Sequence, residues 1–161
     1  MKIFWTAVAL LAALLVQSTL SQLAPGPARQ LDPFLLVVVY CGLAGGEAHG
    51  MLAGLAAGWV QDVHFGGPVV GLSGLTKVVV GFGVGAASTR FLLTGTGARA
   101  LVLFVAALFD TLLFERLASA FELAAQPLSV TGLLSRAALN ALLGGPLYAL
   151  AERRLAREAR R

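Results

Sequence analysis

Gly50-Met-Leu-Ala-Gly54-Leu-Ala-Ala-Gly58-Trp-Val-Gln-Asp62, continued by Val-His64-Phe-Gly-Gly-Pro68-Val-Val-Gly71-Leu-Ser-Gly74-Leu-Thr-Lys77, is the chemically densest stretch of this chain. Glycines four residues apart line one side of a helix, and small residues at that spacing let helices meet backbone to backbone inside lipid. Gly81 and Gly85 repeat the spacing on the next apolar segment. Gly50, Gly54 and Gly58 are therefore expected to pack on Gly81 and Gly85. Asp62 and Lys77 bracket the Gly/Pro turn, where charge is costly unless paired or hydrated. The two are expected to pair across it.

Working outward, five or six apolar segments fill nearly all of the 161 residues. Hydrophobic residues make up 58% and charged residues only 12%, against roughly 25% charged in soluble domains. A soluble fold of this length could not hide that much apolar surface, so the expected solvent is a bilayer. The expected fold is an all-α membrane protein, a polytopic bundle of about six or else five transmembrane helices. Residues 1–161 make one helical domain, ending in a basic tail at 151–161. Cys41 stands alone in an apolar run and implies neither a disulfide nor a metal site. Arg153, Arg154, Arg157, Arg160 and Arg161 crowd the end of the chain. Such a cluster marks the cytoplasmic side and attracts anionic lipid; it is not a nucleic-acid surface.

The first helix is expected over Ile3 to Leu23, closed by Pro25-Gly-Pro27. It is too long for a signal-peptide core and long enough to span. A short second run follows Asp32-Pro33 and reaches Gly45-Gly46; a third covers about Ala48 to Val60. The second either spans on its own or joins the third as one helix kinked through Gly45-Gly46-Glu47. Residues His64 to Gly74 look too rich in Gly and Pro for a regular helix. Further helices are expected at Leu75–Leu93, Ala98–Ala118 and Thr131–Leu150. With six spans, Lys2, Arg90, Arg99 and the tail all face the cytoplasm, while Arg29 and Arg116 lie near the outer ends; this fits the positive-inside rule better than five spans.

On that topology the polar residues Gln17, Asp62, Lys77, Asp110, Arg136 and Asn140 gather in the outer half of the bundle. Three readings compete for this cluster. Asp62 with Lys77 and Asp110 with Arg136 could neutralise each other while Asn140 and Gln17 tie helices together. The cluster could instead line an outward-facing ligand pocket, or form a socket for a partner's helix. Catalysis fits poorly: the chain has no Ser-His-Asp order and no metal-ligand spacing. Asp62-Val-His64 makes a weak metal claim, and His49 beside Glu47 reads as a solvated loop residue. Gly66-Gly-Pro68 lacks the Lys-Ser/Thr of a phosphate loop. No cofactor is expected.

Gly54-x-x-x-Gly58-Trp-Val-Gln-Asp62, a short Gly-rich turn, then Gly71-Leu-Ser-Gly-Leu resembles the signature of MreD, the family of rod shape-determining membrane proteins. Val16-Gln17-Ser18-Thr19-Leu20 is similar to that family's first-helix Gln-Ser-Thr pattern. Trp59 and Gln61 depart from it, and Lys77 is not carried over from the family. The resemblance implies a non-catalytic component of the bacterial cell-elongation machinery in the cytoplasmic membrane. Its partners would be MreC, a single-span protein, the MreB filament, and a SEDS glycosyltransferase with its transpeptidase. It also implies a bundle similar to the substrate-capture subunits of energy-coupling vitamin transporters, so a small-molecule-binding transporter subunit is the alternative function.

Overall fold

A computed structural model describes residues 2–24, 26, 30–66, 69–91, 95–123 and 129–158. These form five helices and no strand: α1 (Lys2–Leu23), α2 (Pro33–Phe65), α3 (Leu72–Arg90), α4 (Thr96–Ala120) and α5 (Val130–Glu158). The first four are long and apolar enough to cross a membrane. α1 contains neither glycine nor proline. Two of its hydroxyls turn back on their own helix, Thr19 Oγ1 to the Leu15 carbonyl at 2.8 Å and Ser21 Oγ to that of Gln17 at 2.7 Å. That satisfies two polar groups on an otherwise apolar, exposed helix.

The 33 residues of α2 are two helices folded against each other. Gly46 has φ 77° and ψ −169°, outside the helical region, which glycine alone adopts without a Cβ penalty. A Cβ on Gly50 would lie 3.1 Å from the Cα of Gly42, whereas eight residues along a continuous helix span about 12 Å. The rings of Phe34 and Phe65 likewise stand 6.2 Å apart. The segment therefore reverses at Gly46 into two antiparallel limbs, 33–45 and 47–65. Both alternatives for the second apolar run hold part of the truth: it is joined to the third through Gly46, but as a hairpin. The first limb is short, about 20 Å at 1.5 Å per residue. Its start at Asp32 is consequently sunk into the bundle, 1% exposed.

Local chemistry sets the ends of these elements. Asp32 caps α2 by accepting from the Leu35 amide at 3.0 Å, with Pro33 in the first turn. Gly66, at φ 70°, closes the second limb and donates its N–H to the Asp62 carbonyl. The irregular stretch is narrower than the sequence suggested. Helix runs on to Phe65 and resumes at Leu72, so only about one turn separates α2 from α3.

The second limb and α3 form the tightest contact in the bundle. A Cβ on Gly50 would strike the Gly81 carbonyl, one on Gly54 the Lys77 carbonyl, and one on Gly58 the backbone of Ser73 and Gly74. A Cβ on Gly85 would strike the backbone of Gly46 and Glu47. The two backbones touch along four successive turns. On the far side, Leu35, Leu36, Val39, Val80, Val84, Leu103, Ala107, Ala137 and Tyr148 make one apolar core. The Tyr148 hydroxyl donates to the Leu36 carbonyl. Among the described helices α1 packs against α2 alone, with Leu10 and Ala13 on Phe34, Val38 and Ala57.

Candidate functional site

Four charged side chains meet where the first limb of α2 begins. Lys77 Nζ donates to Asp32 Oδ2 at 2.9 Å and lies 3.5 Å from Asp110 Oδ2. Arg136 Nη2 is 3.5 Å from the same Asp32 oxygen. Two carboxylates and two cations make the cluster electrically neutral, which is what burial of charge in a low-dielectric bundle requires. Asn140, fully buried, holds the backbone beside it. Its Oδ1 accepts from the Asp32 amide at 3.0 Å, and its Nδ2 donates to the carbonyls of Gln30 at 2.9 Å and Arg136 at 2.8 Å. The Gln30 carbonyl and the Asp32 amide, on either side of the non-helical Leu31, are thereby satisfied by protein, the condition under which irregular chain is tolerated at depth.

This arrangement overturns both expected ion pairs. Asp62 does not pair with Lys77. Its Oδ2 accepts from the amides of Gly71 at 2.8 Å and Ser73 at 3.0 Å, so it caps the start of α3. Two orphan amides lie next to it across the turn, whereas Lys77 sits more than a turn deeper and turns to two acids. Nor does Asp110 pair with Arg136: Asp110 faces Lys77, and Arg136 faces Asp32. Asp32 is the member of the cluster that sequence reasoning missed. It reads as a helix-start signal before Pro33, and it serves in that role and as counter-ion at once.

The remaining residues are scattered. Gln17 lies on α1, which among the described helices packs on α2 and not on α4 or α5, where Asp110, Arg136 and Asn140 lie. Gly71, at φ 98°, is the N-cap of α3 and a donor to Asp62. His64 hydrogen-bonds Ser18 at 3.3 Å and stacks edge-on against Phe65. His49 is not a solvated loop residue: its Nε2 lies 2.8 Å from Thr6 Oγ1, which also lies 3.6 Å from the buried Cys41 Sγ. Thr6 so ties α1 to both limbs near their turn. Among the described residues no group of three His, Cys, Asp or Glu side chains could hold a metal.

Asp62 therefore carries a stability prediction of its own. Asp62→Ala should destabilise the protein by about 0.5–2 kcal/mol, the usual loss for an N-cap. The charge swap Asp62→Lys with Lys77→Asp should recover nothing, because the two do not touch. Thermal melts of Asp62→Ala, of Asp62→Lys and Lys77→Asp singly, and of the double swap in one detergent check both statements, and recovery by the swap would contradict the capping geometry.

The family model for the rod shape-determining protein MreD matches residues 2–153, which take in α1 to α4 and most of α5. The chain belongs to the MreD family. It is accordingly a membrane protein of the kind that determines rod shape. No curated protein and no solved structure matches it. The family is a shape-determining one, and the buried cluster lies in the part of the chain that its model covers.

Proposed function

We propose that this protein is a multi-pass scaffold of the bacterial cytoplasmic membrane that supports cell elongation without catalysing a step of its own. The whole chain acts as one helical domain. It would hold an MreC-like single-span protein and, through it, the MreB filament and the SEDS glycosyltransferase with its transpeptidase. The observation that carries this reading is the family match over residues 2–153. The cluster supports it: Asp32, Lys77 and Asn140 are at most 2% exposed and consumed by one another. Such a knot stiffens the bundle and occupies the polar groups that would otherwise meet a ligand. The arginine-rich tail would lie in the cytoplasm against anionic headgroups. That orientation turns the Asp32 cluster and the Asp62 cap outward.

Copurification provides the test. The tagged protein, extracted from membranes in mild detergent with a co-expressed MreC-like partner, should retain that partner through washing. The protein purified alone should bind no vitamin-type small molecule. Loss of the partner at normal expression would sink the scaffold reading, and tight binding of such a molecule would favour the transporter-subunit alternative.

A further inference from the structure

The described helices pack as two bodies. α2 and α3 are welded by the glycine contacts, with α1 on α2, while α4 packs chiefly on α5, where Gly144 and Gly145 receive Leu103 and Ala100. The chain passes between the bodies once, from α3 to α4. Lys77 lies 13 residues before the end of α3 and Asp110 lies 14 residues after the start of α4, so each stands about 20 Å from that link. At that distance polar ties cross the seam: Lys77 to Asp110, Arg136 to Asp32, and Asn140 to the Asp32 amide and the Gln30 carbonyl. The Tyr148–Leu36 bond follows one turn further along α2. The core of the seam is apolar, Leu35, Val39 and Val84 with Leu103, Ala107 and Ala137. In lipid such faces are held by packing alone, because acyl chains solvate them equally well once they part.

The charges are divided so that this seam can part. Asp32 and Lys77 belong to one body, Asp110 and Arg136 to the other, so each face of the seam is neutral by itself. The pair inside the first body is the short one at 2.9 Å, whereas both ionic contacts across the seam are 3.5 Å. In the second body Asp110 Oδ1 and Arg136 Nε have no partner among the described residues. Once Lys77 and Asp32 withdraw, these two side chains are left as each other's counter-ion. Parting also breaks both bonds of Asn140 across the seam and gives the Asp32 amide and the Gln30 carbonyl to water. We infer that α1–α3 and α4–α5 are two bodies joined at one end by the chain between α3 and α4 and latched at the other by the cluster, and that the latch opens without unfolding either body. The closed form predominates because of Asn140. A partner that prefers one spacing of the bodies shifts the balance by its differential affinity. The inference does not depend on the scaffold reading.

Spin labels at exposed positions test this by double electron–electron resonance in phospholipid nanodiscs, with Cys41→Ala so that no native thiol competes. Val63→Cys with Val130→Cys reports across the seam, and Val63→Cys with Phe82→Cys reports inside the first body. Asn140→Leu keeps the bulk of the side chain and removes its bonds to Gln30 and Asp32. It should raise a second, longer Val63–Val130 population about tenfold or more over wild type and leave the Val63–Phe82 distance unchanged. A single, unaltered distance across the seam would show a one-piece bundle and overturn the inference. Spreading of both distances would show general loosening and overturn it equally. Should Asn140→Leu not fold, amide exchange in the unaltered protein decides. The Asp32 amide, at an N-cap and held by Asn140, should exchange about tenfold or more faster than the Gly54 and Gly81 amides, which only unfolding of the first body exposes. Equal protection would mean that the seam opens only when the whole protein unfolds, and the latch falls.

Discussion

Lys77→Met should lower the thermal stability of the detergent-solubilised protein by the equivalent of about 3–5 kcal/mol, the usual cost of stripping one partner from a buried ion pair. Methionine keeps the length and apolar stem of the side chain, so lost packing contributes little. What remains is Asp32 facing Arg136 and an Asp110 carboxylate stripped of the lysine it faced, a net negative charge with Asp32 1% exposed. Adding Asp32→Asn should restore part of the loss. It returns the cluster to neutrality, and asparagine can still cap α2 at the Leu35 amide. Differential scanning of wild type, single and double variants decides the matter. A Lys77→Met protein that melts with wild type would mean the cluster does not hold the bundle together.

Gly54→Leu is expected to be comparably damaging, for a steric reason. Even a Cβ at Gly54 would run into the Lys77 carbonyl and stand 2.8 Å from the Val78 amide nitrogen, so backbone and not a side-chain tip must yield. Overpacking of a tight core costs about 1–3 kcal/mol, and here α3 must shift as a body. Lys77 sits on the displaced turn, so the steric change reaches the ion cluster as well. Gly83 is the internal control. It lies on the same helix with nothing within 4 Å of its added Cβ. Gly83→Ala should be neutral or stabilising by about 0.5–1 kcal/mol, the helical gain from replacing glycine. Melting temperatures of the two variants measured side by side test the contrast, and equal melting would show that glycine position is irrelevant to the packing.

Much of the architecture was legible in the sequence because it depends on neighbours along the chain. Apolar runs long enough to span, helix starts at Asp32-Pro33 and glycines every fourth residue are local patterns, and they set where helices form and which stripe can approach another backbone. The alternation of runs and turns also brought Asp62 close to the start of α3. What Asp62 does there was not legible, because a carboxylate beside a turn can serve a cation or free amides equally well.

Pairing of the charges was decided only by tertiary structure. Lys77 and Asp32 are 45 residues apart, and Asn140 reaches the Asp32 amide across 108. Which acid a buried lysine meets depends on the depth and rotation of four packed segments. That rotation is set where Gly50, Gly54 and Gly58 lock onto α3, and the depth of Asp32 is set by the reversal at Gly46. The sequence by itself determined that the chain is a helical membrane bundle with polar groups to be reconciled. The fold chose their partners, because neutralising a charge in low dielectric is a condition on three-dimensional distance, and spacing along the chain does not contain it.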